Sequence, residues 1–312
     1  MRNIVLGGSG LVGSNLSKYL IDNGEEVLIV DREIPQNLNL KKNSFLQVDL
    51  VNDKSHAIEW LKKKCEDTNK ISVWHLAANS DIRSGISDPF VDYKDTLGTT
   101  LTAIEVCKYV RACFLGFSSS SAVYGDNGGT PVNEEMTDLL PISNYGLMKM
   151  WSESLILDFL NQESSIQGLI YRFPNVVGLP LTHGLMKDLF EKLSNSPLTI
   201  DILGNGRQRK QYIHVEDLVK TILRLREGGF TKVFNIAPKD EGVSVKDIAE
   251  LARDLISPQT TLCFGNTEYG WKGDVPVYFM NTRKLNDAGM GRELNSQEAI
   301  RRILQEIESQ LL

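Results

Sequence analysis

"NIVLGGSGLVGSNL", residues 3 to 16, sets a short β-branched run directly against glycines at 7, 10 and 13 and then an amphipathic segment. A strand that turns on glycine into a helix aims free helix amides, and the positive end of the helix dipole, at whatever lies beyond the turn, which suits a pyrophosphate. Gly7 permits the tight turn, Gly10 lets backbone approach the phosphates, and Gly13 lets the helix pack close. Gly7, Gly10, Leu11, Val12 and Gly13 are therefore the expected cofactor cradle. Asp31 closes the next apolar run, "EVLIVD" at 26–31, roughly 20 residues on, where a carboxylate accepts hydrogen bonds from an adenosine ribose. It also repels a 2′-phosphate, so NAD is expected over NADP, although Arg32 beside it pulls the other way. Asp49, with Leu50 closing "VDL" at 48–50, is placed to accept from an adenine amino group.

The pattern continues outward from that turn. "FLQVDL" at 45–50, "SVWHLAA" at 72–78, "ACFLGFSS" at 112–119 and "GLIYRF" at 168–173 read as further strands. Near-continuous apolar strands are buried on both faces, as in a parallel sheet covered by helices. Between them, 11–24 reads as a helix that stops at Gly24, and 91–110 and 145–160 as longer helices with apolar stripes, Leu97, Leu101 and Ile104 on the first and Met148, Leu155 and Phe159 on the second. The expected architecture is an α/β Rossmann fold, a doubly wound parallel sheet, with a smaller mixed α/β substrate-binding domain. Residues 1–172 form the first, to which 207–235 return; 173–206 and 236–312 form the second.

Bulk composition excludes several classes. The 312 residues are 41% hydrophobic and 24% charged with a formal charge of −6, so no general basic surface argues for nucleic acid or acidic membranes. The Lys62–Lys64 run reads as a solvated helix face. Four cysteines without CxxC or Cys/His spacing give neither a disulfide framework nor a metal site, and no metal is expected. The amino-terminal segment is unlike a secretory signal, and no window approaches the ~20 apolar residues of a membrane span, so cytoplasmic residence is expected.

"ISNYGLMKMW" at 142–151 puts Tyr145 one helical turn before Lys149. Residues four apart share a helix face, and a neighbouring ammonium lowers a phenol's pKa. Taken alone, the spacing also fits an ordinary amphipathic surface. With "GGSGLVG", "WHLAANSDIR", "FSSSSAVYG", "YGLMK", "YRFPNVVG", "LGNGRQRKQYIHVEDL" and "GWKGDVP" following in order, the chain resembles, nearly end to end, the extended short-chain dehydrogenase/reductases that act on nucleotide sugars, most of all the UDP-glucose 4-epimerases.

The resemblance implies NAD-dependent epimerisation at C4 through a 4-keto intermediate, on UDP-glucose/UDP-galactose or the N-acetylated pair. Tyr145 is then the acid/base, Lys149 lowers its pKa and binds the nicotinamide ribose, and Ser120 hydrogen-bonds the sugar hydroxyl, with Ser121 its rival. It further implies that Ala77, Ala78, Ser118 and Phe173 line the cofactor. Ser80, Arg83, Asn175 and Asp274 fall on the substrate, and His183 is a further candidate for a substrate hydroxyl. The helices at about 92–110 and 145–160 are those that pair such chains into homodimers. Two departures bear on recognition: Lys210-Gln211 stands where many relatives have Arg-Asp, and Lys pairs a phosphate without the bidentate fork. Trp271 stands where many have an arginine for the diphosphate, leaving Lys272 or Arg209 to substitute. Gly85 and Gly178 are small enough to leave room for an N-acetyl group. The Asp-Glu pair that relatives use for 4,6-dehydration is Ser121-Ala122 here. Decarboxylation, keto-sugar reduction and non-catalytic NAD binding are the other readings, since chemistry lives in the site and not in the fold.

Overall fold

The computed structural model describes residues 1–311 apart from 37, 39, 42, 43, 69, 196, 272 and 292, with the side chains of 83, 310 and 311 also left aside. The chain divides into two compact units: Met1–Val123 with Ser143–Arg172 and Val219–Phe234, and Tyr124–Ile142 with Phe173–Leu218 and Asn235–Leu312.

In the first unit the apolar runs become β1 (Arg2–Leu6), β2 (Glu26–Asp31), β3 (Phe45–Gln47), β4 (Ile71–His75), β5 (Phe114–Ser118) and β6 (Gln167–Arg172). The sheet runs from the strand Lys232–Asn235 through β6, β5, β4, β1 and β2 to β3, and its described pairs are parallel. Strand order reverses between β1 and β4, the switch point where such sheets receive ligands. β3, β4 and β5 are shorter than their apolar runs. Val48–Leu50 leave β3 because the Asp49 carboxylate caps the amides of Val51 and Asn52, each at 2.8 Å. Ala112 closes the preceding helix by donating to the Cys107 carbonyl at 2.9 Å.

Helices cover both faces: α1 (Leu11–Asp22), α2 (Lys54–Cys65), α3 (Ile82–Ser87), α4 (Pro89–Asp92), α5 (Thr99–Val110) and α6 (Asn144–Gln162). Their apolar sides bury Leu61, Ala103, Val106, Ile156 and Phe159 against Ile4, Val30, Val73, Leu115 and Ile170. The helix expected from 91 to 110 is interrupted, since Tyr93–Gly98 is a π turn. The threonine hydroxyls compete for its carbonyls: Thr99 Oγ1 donates to Asp95 O and Thr96 O, and Thr100 Oγ1 to Thr96 O, at 2.9 to 3.0 Å. Its stripe also faces otherwise than expected, with Leu101 46% exposed.

The second unit has small sheets. Tyr212–His214 pairs parallel with Asn175–Val177, Thr261–Phe264 with Thr199–Ile202, and Arg209–Lys210 pairs with both Val243–Ser244 and Val277–Tyr278. Leu189, Leu193, Ile200, Ile248, Ile300 and Ile303 are its core. The expected division differs at 124–142, 207–218 and Asn235, which cluster here. Tyr124 donates its hydroxyl to Asn235 at 2.7 Å, Val132 bridges Met280, and the 212–214 strand belongs to the 175–177 pair. Among the described residues, no helix is long and apolar enough to cross a membrane.

Candidate active site

The glycine turn leaves β1 at the switch point. Gly7 has φ +84°, and a Cβ there would lie 2.5 Å from the amide nitrogen of Ala77 at the end of β4. A Cβ at Gly13 would come within 2.1 Å of the Gly7 carbonyl, so α1 is held against the turn. At Gly10 the nearest atom is 3.7 Å away, which leaves room for a ligand to approach the backbone. Gly10 is the N-cap of α1 and brings no side-chain acceptor. The amides of Leu11, Val12 and Gly13 are thus the first-turn donors that a helix cannot satisfy internally, and they fit a pyrophosphate.

Asp31 anchors this loop, its carboxylate accepting from Ser9 N at 2.8 Å and Glu33 N at 3.0 Å. Each oxygen keeps a second lone pair, enough for a ribose diol. Arg32 reaches the other way, to Asp95 at 2.8 Å, where its charge is answered by a carboxylate. Burial pushes the Asp49 carboxyl up, but the amides of Asn52 and Val51 and the Lys94 ammonium outweigh it and hold the group below the usual range. Asp49 is therefore engaged in its own turn and with Lys94, and the Leu50 side chain is core. The amide of Ala77 lies against Gly7, its carbonyl accepts from Thr99 at 3.2 Å, Ala78 is half-buried, and Ser80 is exposed.

The residues of the tyrosine–lysine site converge on α6. Ser143 caps that helix, accepting from Gly146 N at 3.1 Å, and the buried face that follows is polar: Lys149, Ser152 and Glu153 beside Met148, Ile156 and Phe159. Lys149 is 1% exposed. Its ammonium donates to Ser118 O at 2.6 Å and lies 4.8 Å from the Phe117 ring and 5.7 Å from the Tyr145 ring. Burial pulls it down to about 7, against the carboxylate of Glu153, which raises it. Burial likewise pushes the Tyr145 phenol up to about 12; a hydrogen bond with Ser120 lowers it and the Asp92 carboxylate raises it. Ser120 is thus a serine on the tyrosine hydroxyl, and Ser121 begins the 3-10 turn Ser121–Tyr124.

Behind this pair, Ser118 Oγ donates to His75 O at 3.2 Å. Burial, followed by the Lys149 charge, holds the His75 imidazole down to about 3, so His75 is a neutral core residue bonded to Thr100 at 2.8 Å. Glu153 and Asp92 are the groups that sequence reasoning passed over. Glu153 receives both arms of Arg172, Nε at 2.9 Å and Nη2 at 2.6 Å, and the Ser119 hydroxyl. Its signal was present in the Tyr145–Lys149–Glu153 ladder of four-residue steps. Asp92 is fully buried, accepts from Asn79 Nδ2 at 2.8 Å, and is pushed up by burial.

The remaining candidates lie in the second unit, apart from Gly85 in α3 and Arg83, whose backbone lies in α3 and whose side chain is outside the described residues. Asn175 has a buried amide nitrogen, Nδ2, with no partner among the described residues. Lys210 and Asp274, far apart in sequence, form an ion pair at 16% and 4% side-chain exposure, and Gly270 N donates to the same carboxylate at 3.0 Å. Gln211 is a staple: Nε2 donates to Pro238 O at 2.6 Å and Oε1 accepts from Met280 N at 2.8 Å. Arg209 donates to Gly242 O at 2.9 Å, and Lys272 lies outside the described residues. Phe173 is half-buried, and His183 is exposed beside Thr182. Neither small residue opens a void. A Cβ at Gly85 would fall 1.8 Å from Asp92 Oδ2, and one at Gly178 2.4 Å from Val215 Cγ1. Among the described residues no three His, Cys, Asp or Glu side chains cluster to hold a metal.

A parallel sheet with a glycine cradle at its switch point, followed by a tyrosine over a buried lysine, defines a Rossmann-fold enzyme that works with a nicotinamide dinucleotide. The chain belongs to the NAD dependent epimerase/dehydratase family, whose model matches residues 3–237, and NAD is its cofactor. Over 308 residues it is 26% identical to a putative UDP-glucose 4-epimerase of Methanocaldococcus jannaschii, covering 96% of each chain. It is also 26% identical over 272 residues to UDP-glucuronic acid decarboxylase 1 of Arabidopsis thaliana, across 85% of this chain and 60% of that one. The crystal structure of a UDP-galactose 4-epimerase superposes with a TM-score of 0.83 over the whole of both chains, at 26% identity.

Proposed function

We propose that this enzyme interconverts the C4 epimers of a nucleotide sugar, UDP-glucose and UDP-galactose or their N-acetylated counterparts. The observation that carries the reading is the Ser120–Tyr145 hydrogen bond with Lys149 buried one turn below. Tyr145 takes the proton of the C4 hydroxyl and returns it once the 4-keto sugar has presented its other face, while Ser120 aligns that hydroxyl. A catalytic base works best with a pKa near the operating pH, and the free site holds Tyr145 at about 12. Bound NAD supplies the hydride acceptor and donor and a positive ring that favours phenolate, and the Lys149 ammonium supplies the second cation.

In the second unit, the Asn175 amide, unpartnered among the described residues, and the Lys210 ammonium suit diphosphate oxygens, and Asp274 suits a ribose. The Arg32–Asp95 pair, which occupies the cation beside Asp31, supports NAD over a 2′-phosphorylated dinucleotide. The exposed apolar side chains of α5 and α6, Leu101, Tyr109 and Trp151, support pairing of two chains across these helices, which light scattering of the purified protein checks.

Proton NMR of the purified protein with UDP-glucose, and separately with UDP-N-acetylglucosamine, without added NAD, tests the proposal. Appearance of the C4 epimer supports it, and the faster substrate names the sugar. No change in either, even with NAD supplied, overturns it for these sugars. The decarboxylase relative motivates a parallel incubation with UDP-glucuronic acid, in which carbon dioxide release identifies the second reading.

A further inference from the structure

Tyr145, Lys149 and Glu153 follow one another at four-residue steps along the buried face of α6, so the carboxylate stands one turn behind the ammonium as the phenol stands one turn ahead. A carboxylate this deep, 3% exposed, survives ionised only where its oxygens are matched. Arg172, 4% exposed at the end of β6, matches it with two parallel hydrogen bonds at 2.9 and 2.6 Å, and the Ser119 hydroxyl adds a third. Ser119 directly follows Ser118, whose carbonyl receives the Lys149 ammonium. One short segment therefore holds both the lysine and the carboxylate behind it.

We propose that Glu153, fixed by Arg172 and Ser119, is a positioning residue that keeps the Lys149 ammonium charged beneath Tyr145. The proposal rests on the reading of Tyr145 as acid/base. It follows from the surroundings of Lys149, which are apolar or neutral on its other sides. The Phe117 ring lies beside it, and His75 on β4 is uncharged. Asp92 on α4 acts on Tyr145. Lys94 and Asp95 of the π turn are tied to Asp49 and Arg32, and on α5 Glu105 pairs with Lys54 while Lys108 lies over Phe159. Among the described residues, Glu153 is the carboxylate that raises Lys149. Without it, burial favours the neutral amine, which no longer draws the phenol towards phenolate.

The test is carbon-13 NMR of protein labelled at the lysine ε-carbons, with Lys149→Met assigning the resonance. Burial holds Lys149 down to about 7 in the unaltered chain, and in Glu153→Gln the midpoint falls by at least about one unit, a tenfold fall in the ratio of ammonium to amine. Removing one partner of a buried pair can unfold a protein, whereas replacing both by neutral groups is often tolerated. The double variant Glu153→Gln/Arg172→Met therefore folds and shows a fall in the same direction, smaller because the Arg172 charge that opposes the ammonium leaves with the carboxylate. An unmoved midpoint in the folded double variant overturns the proposal and leaves Glu153 a structural residue. The readout is a lysine's titration and not turnover: a shift without epimerisation discredits the substrate reading alone, and epimerisation without a shift discredits the Glu153 role alone.

Discussion

The two units treat buried charge differently. Around α6, charge is arranged in layers: Tyr145 over Lys149, Lys149 before Glu153, and Glu153 locked by Arg172 and Ser119. In the second unit one ammonium, Lys210, faces one carboxylate, Asp274, and the neighbouring Gln211 is occupied wholly with backbone. A layered network fails as a whole when a member is lost, because each buried group depends on the next for its charge state. A single pair can be exchanged or retuned with local consequences. On the proposed function, the type of reaction is written in the first unit and the identity of the substrate in the second.

The largest expected effect separates chemistry from binding. Tyr145→Phe lowers epimerisation by about 10²–10⁴-fold, the range for loss of a general acid/base, while bound NAD, measured after acid release, and the melting temperature stay as they are. Next, Arg172→Met leaves Glu153 uncompensated and costs about 3–5 kcal/mol in urea unfolding; restoration in the double variant with Glu153→Gln ties that loss to the unpaired charge. In the second unit, Lys210→Ala raises KM about tenfold or more, the worth of a charged hydrogen bond of ~1.5–3 kcal/mol, with kcat within a few-fold. An equal fall in kcat would place Lys210 in the chemistry and erase the contrast between the units.

A graded effect lies in acid stability. The His75 imidazole, held down to about 3 by burial and by Lys149, binds no proton in the folded state across the interval where the unfolded chain does. Stability therefore rises with pH between about 3 and 6.5 and is lost as pH falls through that window, by up to about 1.4 kcal/mol per pH unit from this group. His75→Gln flattens the slope of the urea midpoint against pH. The last effect is Ser120→Ala, about tenfold in kcat, because the Ser120 hydroxyl bonds the phenol.

What was legible in the sequence was what short-range spacing encodes. The Gly7–Gly13 turn, Asp31 and the Tyr145–Lys149 step each depend on a few neighbouring residues, and the parallel sheet follows from continuous apolar runs. The Arg172–Glu153 and Lys210–Asp274 pairs depend on how distant segments meet. The latter spans 64 positions, and no periodicity joins its ends. The π turn at 93–98 was hidden for another reason: its threonines are acceptable in a helix by propensity, and only their hydroxyl bonds to the preceding carbonyls reveal the distortion. The boundary near Tyr124 is marked by Gly125, Gly128, Gly129 and Pro131, but such a stretch reads equally as a surface loop, and the chain is back in the first unit by Ser143.

The carboxylate of Asp92 fills the space in which any side chain at position 85 would begin. Seen as a rule for sequence variation, positions 85 and 92 do not vary independently. Alanine or serine at 85 requires the Asp92 carboxylate to move aside or a shorter residue to stand at 92, and the acid in its present place requires glycine at 85. A library randomised at both positions and selected only for folding would return these combinations as linked pairs.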